Sequence, residues 1–133
     1  MCAHAVRVAV KKIEGVEAVE VSLNRGVAVI RFRPDNRATI GQVRRAIRTN
    51  GFTPKAAEVR IAGTVVEREG RLALEVPGSD SAYVMQEAAE SQGAVTQLRA
   101  VAGRPAIIEG SVPETGRRGD GPWTLEVWRF SLP

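Results

Sequence analysis

The chain has 133 residues, 44% hydrophobic and 26% charged, the proportions of a soluble globular protein with room for one medium domain or two small ones. One cysteine cannot form an internal disulfide, one histidine leaves little for catalysis, and no apolar run approaches the roughly 20 residues that span a bilayer. The net charge of +4 is uneven: residues 1–58 carry 11 Lys/Arg against 5 Asp/Glu, whereas residues 59–133 carry 8 against 10, so two modules are expected, the first attracting an acidic partner.

From Cys2 to Ile13 the apolar residues Val6, Ala9, Val10 and Ile13 fall at helical spacing, with Arg7, Lys11 and Lys12 off that stripe. Gly15 stops the helix. Val19, Val21 and Leu23 then alternate with Glu20, Ser22 and Asn24, as in a half-buried strand. Asn24-Arg25-Gly26 reads as a hairpin turn, and Ala28, Ile30 and Phe32 share one face of the return strand, which Pro34 and Asp35-Asn36 break. A second helix starts at Thr39 with Gln42 three residues on, a capping box. Its stripe is Ile40, Val43, Ala46 and Ile47, and Asn50-Gly51 ends it. A strand near Lys55–Ile61 completes the order helix–strand–strand–helix–strand. Arg37, Arg44, Arg45 and Arg48 read as a solvated helix face rather than a phosphate contact.

The second half differs. VRIAGTVVERE and GRLALEV form a hairpin through Glu69-Gly70, Pro77-Gly78 turns the chain, and Ala82–Gln86 is a third strand. AVTQLRAVAG places Leu98 and Val101 at helical spacing, giving a helix near Ala94–Ala102 that ends on Gly103. PAIIEGSV is a strand, TGRRGDGP a glycine-rich exposed loop, and WTLEVWRF a closing strand with Leu125 and Val127 inward. Three strands, a helix and two strands is the order of an OB-like five-stranded barrel. No Gly/Ser linker separates the halves, so the last strand of the first module is expected to run into the first strand of the second near Val59.

The stretch CAHAVRVAVKKIEGVEAVEVSLNRGVAVIRF resembles the heavy-metal-associated domain of copper chaperones, metal-pumping ATPases and the periplasmic mercury-scavenging protein. In that family a loop ending C-x-x-C opens a helix reading C-x-x-x-V-x-x-A-L-x-x-V-x-G-V. Cys2, Val6, Ala9, Val10, Ile13, Gly15 and Val16 fall on those positions, with Val10 for the leucine. AIRTNGFTP resembles the family's A-I-x-x-x-G-Y-x-P/V ending. The resemblance implies a ferredoxin-like βαββαβ domain over residues 1–58, α+β in class, followed by an OB-like β domain over residues 59–133. It makes Cys2 the second cysteine of the pair. The first cysteine and the family's central first strand would then lie ahead of Met1. Either Met1 is an internal methionine, the preferred expectation, or that strand and ligand are missing.

The resemblance further implies a metal site. Soft thiolates select Cu(I), Hg(II) or Zn(II) over hard cations, and a helix N-terminus lowers a thiol pKa. Cys2 is therefore the expected ligand. His4 would be an auxiliary ligand at most, because two residues turn it about 200° around a helix from Cys2. Arg7, Lys11 and Lys12 would dock an acidic metal-transfer partner, and two chains could associate through Cys2 and an unpaired sheet edge. The implied role is a soft-metal carrier, chaperone or sensor module, with no enzyme activity, since no Ser/His/Asp set, paired acid site or phosphate loop stands in the sequence. The alternative is a non-metal scaffold whose OB-like half binds a protein. Nucleic acid is the weaker partner for that half, which is net acidic and has few aromatics in Trp123, Trp128, Tyr83 and Phe130. The N-terminus shows no secretory signal, so the compartment stays open: cytoplasmic as written, periplasmic if a segment lies upstream.

Overall fold

The computed structural model describes residues 3–33, 36–77, 82–89, 91, 93–114 and 122–133. Among them the elements run α1 (Ala3–Lys11), β1 (Val16–Ser22), β2 (Val27–Phe32), α2 (Ile40–Thr49), β3 (Ala57–Arg68), β4 (Arg71–Glu75), β5 (Ala82–Glu87), α3 (Ala94–Arg99), β6 (Pro105–Val112) and β7 (Trp123–Ser131). They fall into two compact units, Met1–Pro54 and Lys55–Pro133.

In the first unit Val6 and Val10, one turn apart on α1, are buried with Val16 at the start of β1. Ile13, Val19, Val21, Ile30, Phe32, Ala46, Ile47 and Phe52 pack around these three. The strand begins three residues earlier than the alternation predicts. A bulge between Val16 and Ala18 is the reason, because it lets Val16 and Val19 share the core face despite their odd spacing. Leu23, expected on that face, is 56% exposed because it lies in the turn beyond Ser22. The Leu23 carbonyl accepts from the Gly26 N–H (3.2 Å), and Gly26 takes φ +65°. Gly15 takes φ +97°, and a Cβ there would stand 2.6 Å from the Asn36 Cβ, so the turn after α1 needs glycine twice over.

The second helix is specified almost wholly by its own ends. Thr39 Oγ1 accepts from the Gln42 N–H (3.2 Å) and Gln42 Oε1 accepts from the Thr39 N–H (2.8 Å), the expected capping box. At the other end the Gly51 N–H donates to Arg48 and the Phe52 N–H to Ile47, with Gly51 at φ +89°, a full Schellman motif. Arg44 departs from the expected solvated face: it is only 7% exposed. Position 44 lies four residues after Ile40 and three before Ile47, so the helix carries it onto the apolar side.

The strand expected near Lys55–Ile61 is the first half of β3. It pairs with β6 over Ala57–Thr64, and β3 continues against β4 over Thr64–Arg68, rather than pairing with β1 or β2. The sheet of the first unit is therefore β1–β2 alone. The second unit closes into a barrel in the order β3-β4-β5-β7-β6, with β5 and β7 parallel and the other pairs antiparallel. Glu69 (φ +54°) and Gly70 (φ +78°) make the two-residue turn between β3 and β4.

Two glycines allow backbones to approach. A Cβ on Gly63 would lie 2.6 Å from the Glu75 carbonyl oxygen, where β3 passes from one neighbour to the other. One on Gly110 would lie 2.1 Å from the Glu126 carbonyl oxygen. Gly110 stands opposite Val127 at the point where β6 and β7 shift register. That shift interrupts the alternation of β7 after Trp128: Trp123, Leu125 and Val127 point inward as expected and Trp128, 37% exposed, points outward, but Arg129, next in turn for the interior, is exposed as well. Leu72, Leu74, Leu98 and Ile108 fill the interior with Trp123, Leu125 and Val127.

The helix α3 is shorter than predicted, ending at Arg99 with a turn to Gly103 (φ +90°), whose N–H donates to the Val65 carbonyl. Its N-cap is Gly93, which has no side chain to offer. Glu87, at the end of β5, supplies one instead. Its Oε1 accepts from the Gly93 and Ala94 N–H groups (2.7 and 2.8 Å) and its Oε2 from Val95 (2.8 Å). The hydrogen bond with Ser91 foremost, then the Val95, Ala94 and Gly93 amides, hold the Glu87 carboxyl below its ordinary range against desolvation. Exposed pairs Arg99–Glu67 (3.3 Å) and Arg129–Glu109 (2.6 Å) tie neighbouring elements and contribute little.

Three expectations follow. Thr39→Ala removes the cap of α2 and should lower unfolding free energy by about 1 kcal/mol in urea titration. Gly110→Ala should cost at least about 2 kcal/mol, because backbone rather than a pliable side chain must yield. Because the Glu87 pKa is depressed in the folded state, its contribution is present above the unfolded carboxyl pKa and is lost as pH falls through the folded value. Glu87→Gln should therefore lower the thermal midpoint at neutral pH, with the gap to the parent closing as the pH is taken down through the acid range.

Candidate metal centre

The soft-metal chemistry expected of this chain rests on what surrounds the start of α1. Cys2 itself lies outside the described residues. The described helix begins at Ala3, so residue 2 precedes it directly, and its first turn carries no acidic residue. The backbone N–H groups of a first turn lack partners in the helix and favour a thiolate over a thiol.

His4 is exposed on α1. Arg7 and Lys11, four residues apart on the same side of α1, are exposed, as is Lys12 just beyond the helix. They stand away from the stripe that buries Val6 and Val10. Lys11 is not simply a solvated charge: its Nζ donates to the Glu17 carbonyl oxygen and ties the end of α1 to β1. Nothing in the sequence signals this, since a main-chain acceptor has no residue preference. On α2, Arg45 and Arg48 are exposed while Arg44 is buried, so the basic cluster read from the sequence is divided between surface and interior.

The protein's own donor set is narrow. The chain has one cysteine and one histidine, and no cluster of three or more His, Cys, Asp or Glu capable of holding a metal stands among the described residues. A closed structural site, which takes four ligands in tetrahedral array, is therefore not built from the described part of the chain. An open site with few sulfur ligands suits an ion that is cargo rather than a fixture.

Residues 1–53 match the heavy-metal-associated domain family. That segment is a heavy-metal-associated domain. Its match takes in α1, the β1–β2 hairpin and α2 and ends one residue before the boundary of the first compact unit. No curated protein and no solved structure matches the chain. The heavy-metal-associated domain is an α+β module that binds heavy-metal ions, soft ones such as Cu(I) or Hg(II) as a class. No described helix is long and apolar enough to cross a membrane.

Proposed function

We propose that the heavy-metal-associated domain carries a soft ion, Cu(I) or Hg(II) with Zn(II) as a third candidate, on the thiolate of Cys2. The observation that carries this reading is the family match over residues 1–53, in which the only thiol of the chain falls directly before α1. Sulfur is the donor that soft ions prefer, and a nearly linear two-sulfur arrangement suits Cu(I) and Hg(II) better than Zn(II), which seeks four ligands. The sequence given holds one thiol. A second sulfur comes from residues ahead of Met1, from another copy or from a thiol on the receiving protein, and ligand exchange with that protein is the transfer step. Arg7, Lys11 and Lys12 give the exposed side of α1 and its far end positive charge, which favours an acidic partner through long-range attraction.

A second reading is favoured by the barrel. Five strands in the order β3-β4-β5-β7-β6 with a parallel β5–β7 pair and α3 between β5 and β6 fit an OB-like module. We infer, as the alternative to metal carriage, a non-metal scaffold in which this module binds a protein, since its net negative charge opposes nucleic acid.

A competition titration with a Cu(I)-selective chelator separates the two readings. The parent should hold about one ion per two chains, Cys2→Ser should lose binding, and His4→Ala should bind as the parent does. Equal Cu(I) binding by Cys2→Ser and the parent rejects the carrier reading and leaves the scaffold.

A further inference from the structure

The chain holds three asparagines, Asn24, Asn36 and Asn50, and only Asn50 is followed by glycine. Ahead of a glycine an asparagine is open to attack by its own chain, because the next backbone nitrogen has no side chain beside it to hinder a five-membered ring. Asn24 and Asn36 each precede an arginine. Asn50 and Gly51 are also the pair that ends α2, and Gly51 is exposed, so water and base reach the bond. What the fold withholds is geometry. Asn50 stands at ψ 19°, which lays the Gly51 nitrogen almost over the backbone nitrogen of Asn50 itself. Ring closure needs it over Cβ instead, on another side of the Cα–C′ bond. The Gly51 N–H donates to the Arg48 carbonyl (3.1 Å), which disfavours loss of its proton. Asn50 Nδ2 donates to the Ala46 carbonyl (2.8 Å), which holds the side chain back along the helix. Beyond the glycine the Phe52 N–H donates to Ile47 (3.2 Å), and Phe52 packs against the cluster of Val6, Val10 and Val16.

We propose that Asn50 is a self-modification site that the fold of α2 keeps closed and that opening of its last turn exposes. In the opened chain the Gly51 nitrogen gives its proton to base and bonds to Asn50 Cγ. The Cγ–Nδ2 bond breaks, and ammonia leaves with a proton from solvent, so that residues 50 and 51 share a succinimide ring. Water then adds at one of the two ring carbonyls and leaves either aspartate or isoaspartate. Water enters, ammonia departs, and nothing is oxidised or reduced. Neither product restores the turn. Aspartate puts a negative charge among the carbonyls at the negative end of α2 and has no amide to donate to Ala46. Isoaspartate carries the main chain through Cβ and Cγ, and the extra methylene draws the Gly51 and Phe52 N–H groups away from the carbonyls of Arg48 and Ile47. A molecule that stays open long enough to convert therefore closes less well afterwards. The site is a one-way record of opening within the heavy-metal-associated domain, and it works without metal.

Peptide mapping by mass spectrometry tests this on the whole protein, kept in mildly alkaline buffer with and without strong urea. In urea Asn50 should convert about tenfold faster than Asn24 or Asn36, and in native buffer its conversion should slow roughly tenfold or more, because only the opened fraction reacts. Phe52→Ala removes the anchor beyond the glycine. It should quicken conversion in native buffer and leave the rate in urea unchanged. The converted protein carries one more negative charge, separates by ion exchange, and should melt below the parent. Conversion at Asn50 as fast in native buffer as in urea overturns the proposal, as does a rate in urea no greater than that of Asn24. A native rate that Phe52→Ala leaves unmoved, or a converted protein that melts with the parent, overturns it as well.

Discussion

A two-stranded hairpin is marginal in water at best, so the first unit depends on the contact of Val6 and Val10 with Val16. Burying a valine contributes about 1.5–3 kcal/mol, and three meeting at one point turn a helix and a hairpin into one body. Other features of the unit serve that meeting. Gly15 turns the chain back tightly enough for Val16 to reach α1, and the bulge in β1 corrects the phase so that Val19 and Val21 continue the face. Through this contact the start of α1, where the thiol stands next in sequence, is held against a scaffold.

The barrel solves the same difficulty by another route. Closing five strands gives every described strand two neighbours, and the interior is filled by Leu72, Leu74, Leu98, Ile108 and Leu125 without help from the surface. What limits it is the distance between backbones. Gly63 and Gly110 stand where β3 changes neighbours and where β7 slips one residue past β6, the two places at which a side chain would hold the strands apart. The slip falls just after Trp128, which ordinary alternation already turns outward, and beyond it Arg129 is exposed, so the inward-facing run of β7 ends at Val127.

The parts that were legible in the sequence are those with local causes. The Thr39/Gln42 box, the Asn50-Gly51 ending, the Glu69-Gly70 turn and the inward Leu125 and Val127 each depend on residues a few positions apart, and each stands as expected. The family was legible through the spacing of Val6, Val10, Gly15 and Val16 behind Cys2, and residues 1–53 match it. The illegible parts depend on neighbours remote in the chain. Whether residues 57–61 join β2 or β6 cannot be read from their alternation, which suits either. The Glu87 clasp replaces a cap that Gly93 lacks, and only the placing of β5 beside α3 brings the carboxylate there. Arg44 lies on the apolar side by simple helical geometry, but a charge invites the opposite assignment.

The pairing of β3 with β6 carries a consequence in time. Ala57 meets Val112 and Thr64 meets Pro105, so the barrel cannot close until nearly the whole chain exists. The first unit is compact within Met1–Pro54, with α1 against β1 and β1 against β2 as sequence neighbours. Contacts near in sequence form sooner than distant ones, and domains mature in order from the N-terminus during synthesis. The half that bears Cys2 is thus expected to reach its fold while the barrel still awaits β7, so that on a ribosome the thiol-bearing unit matures first and the barrel afterwards.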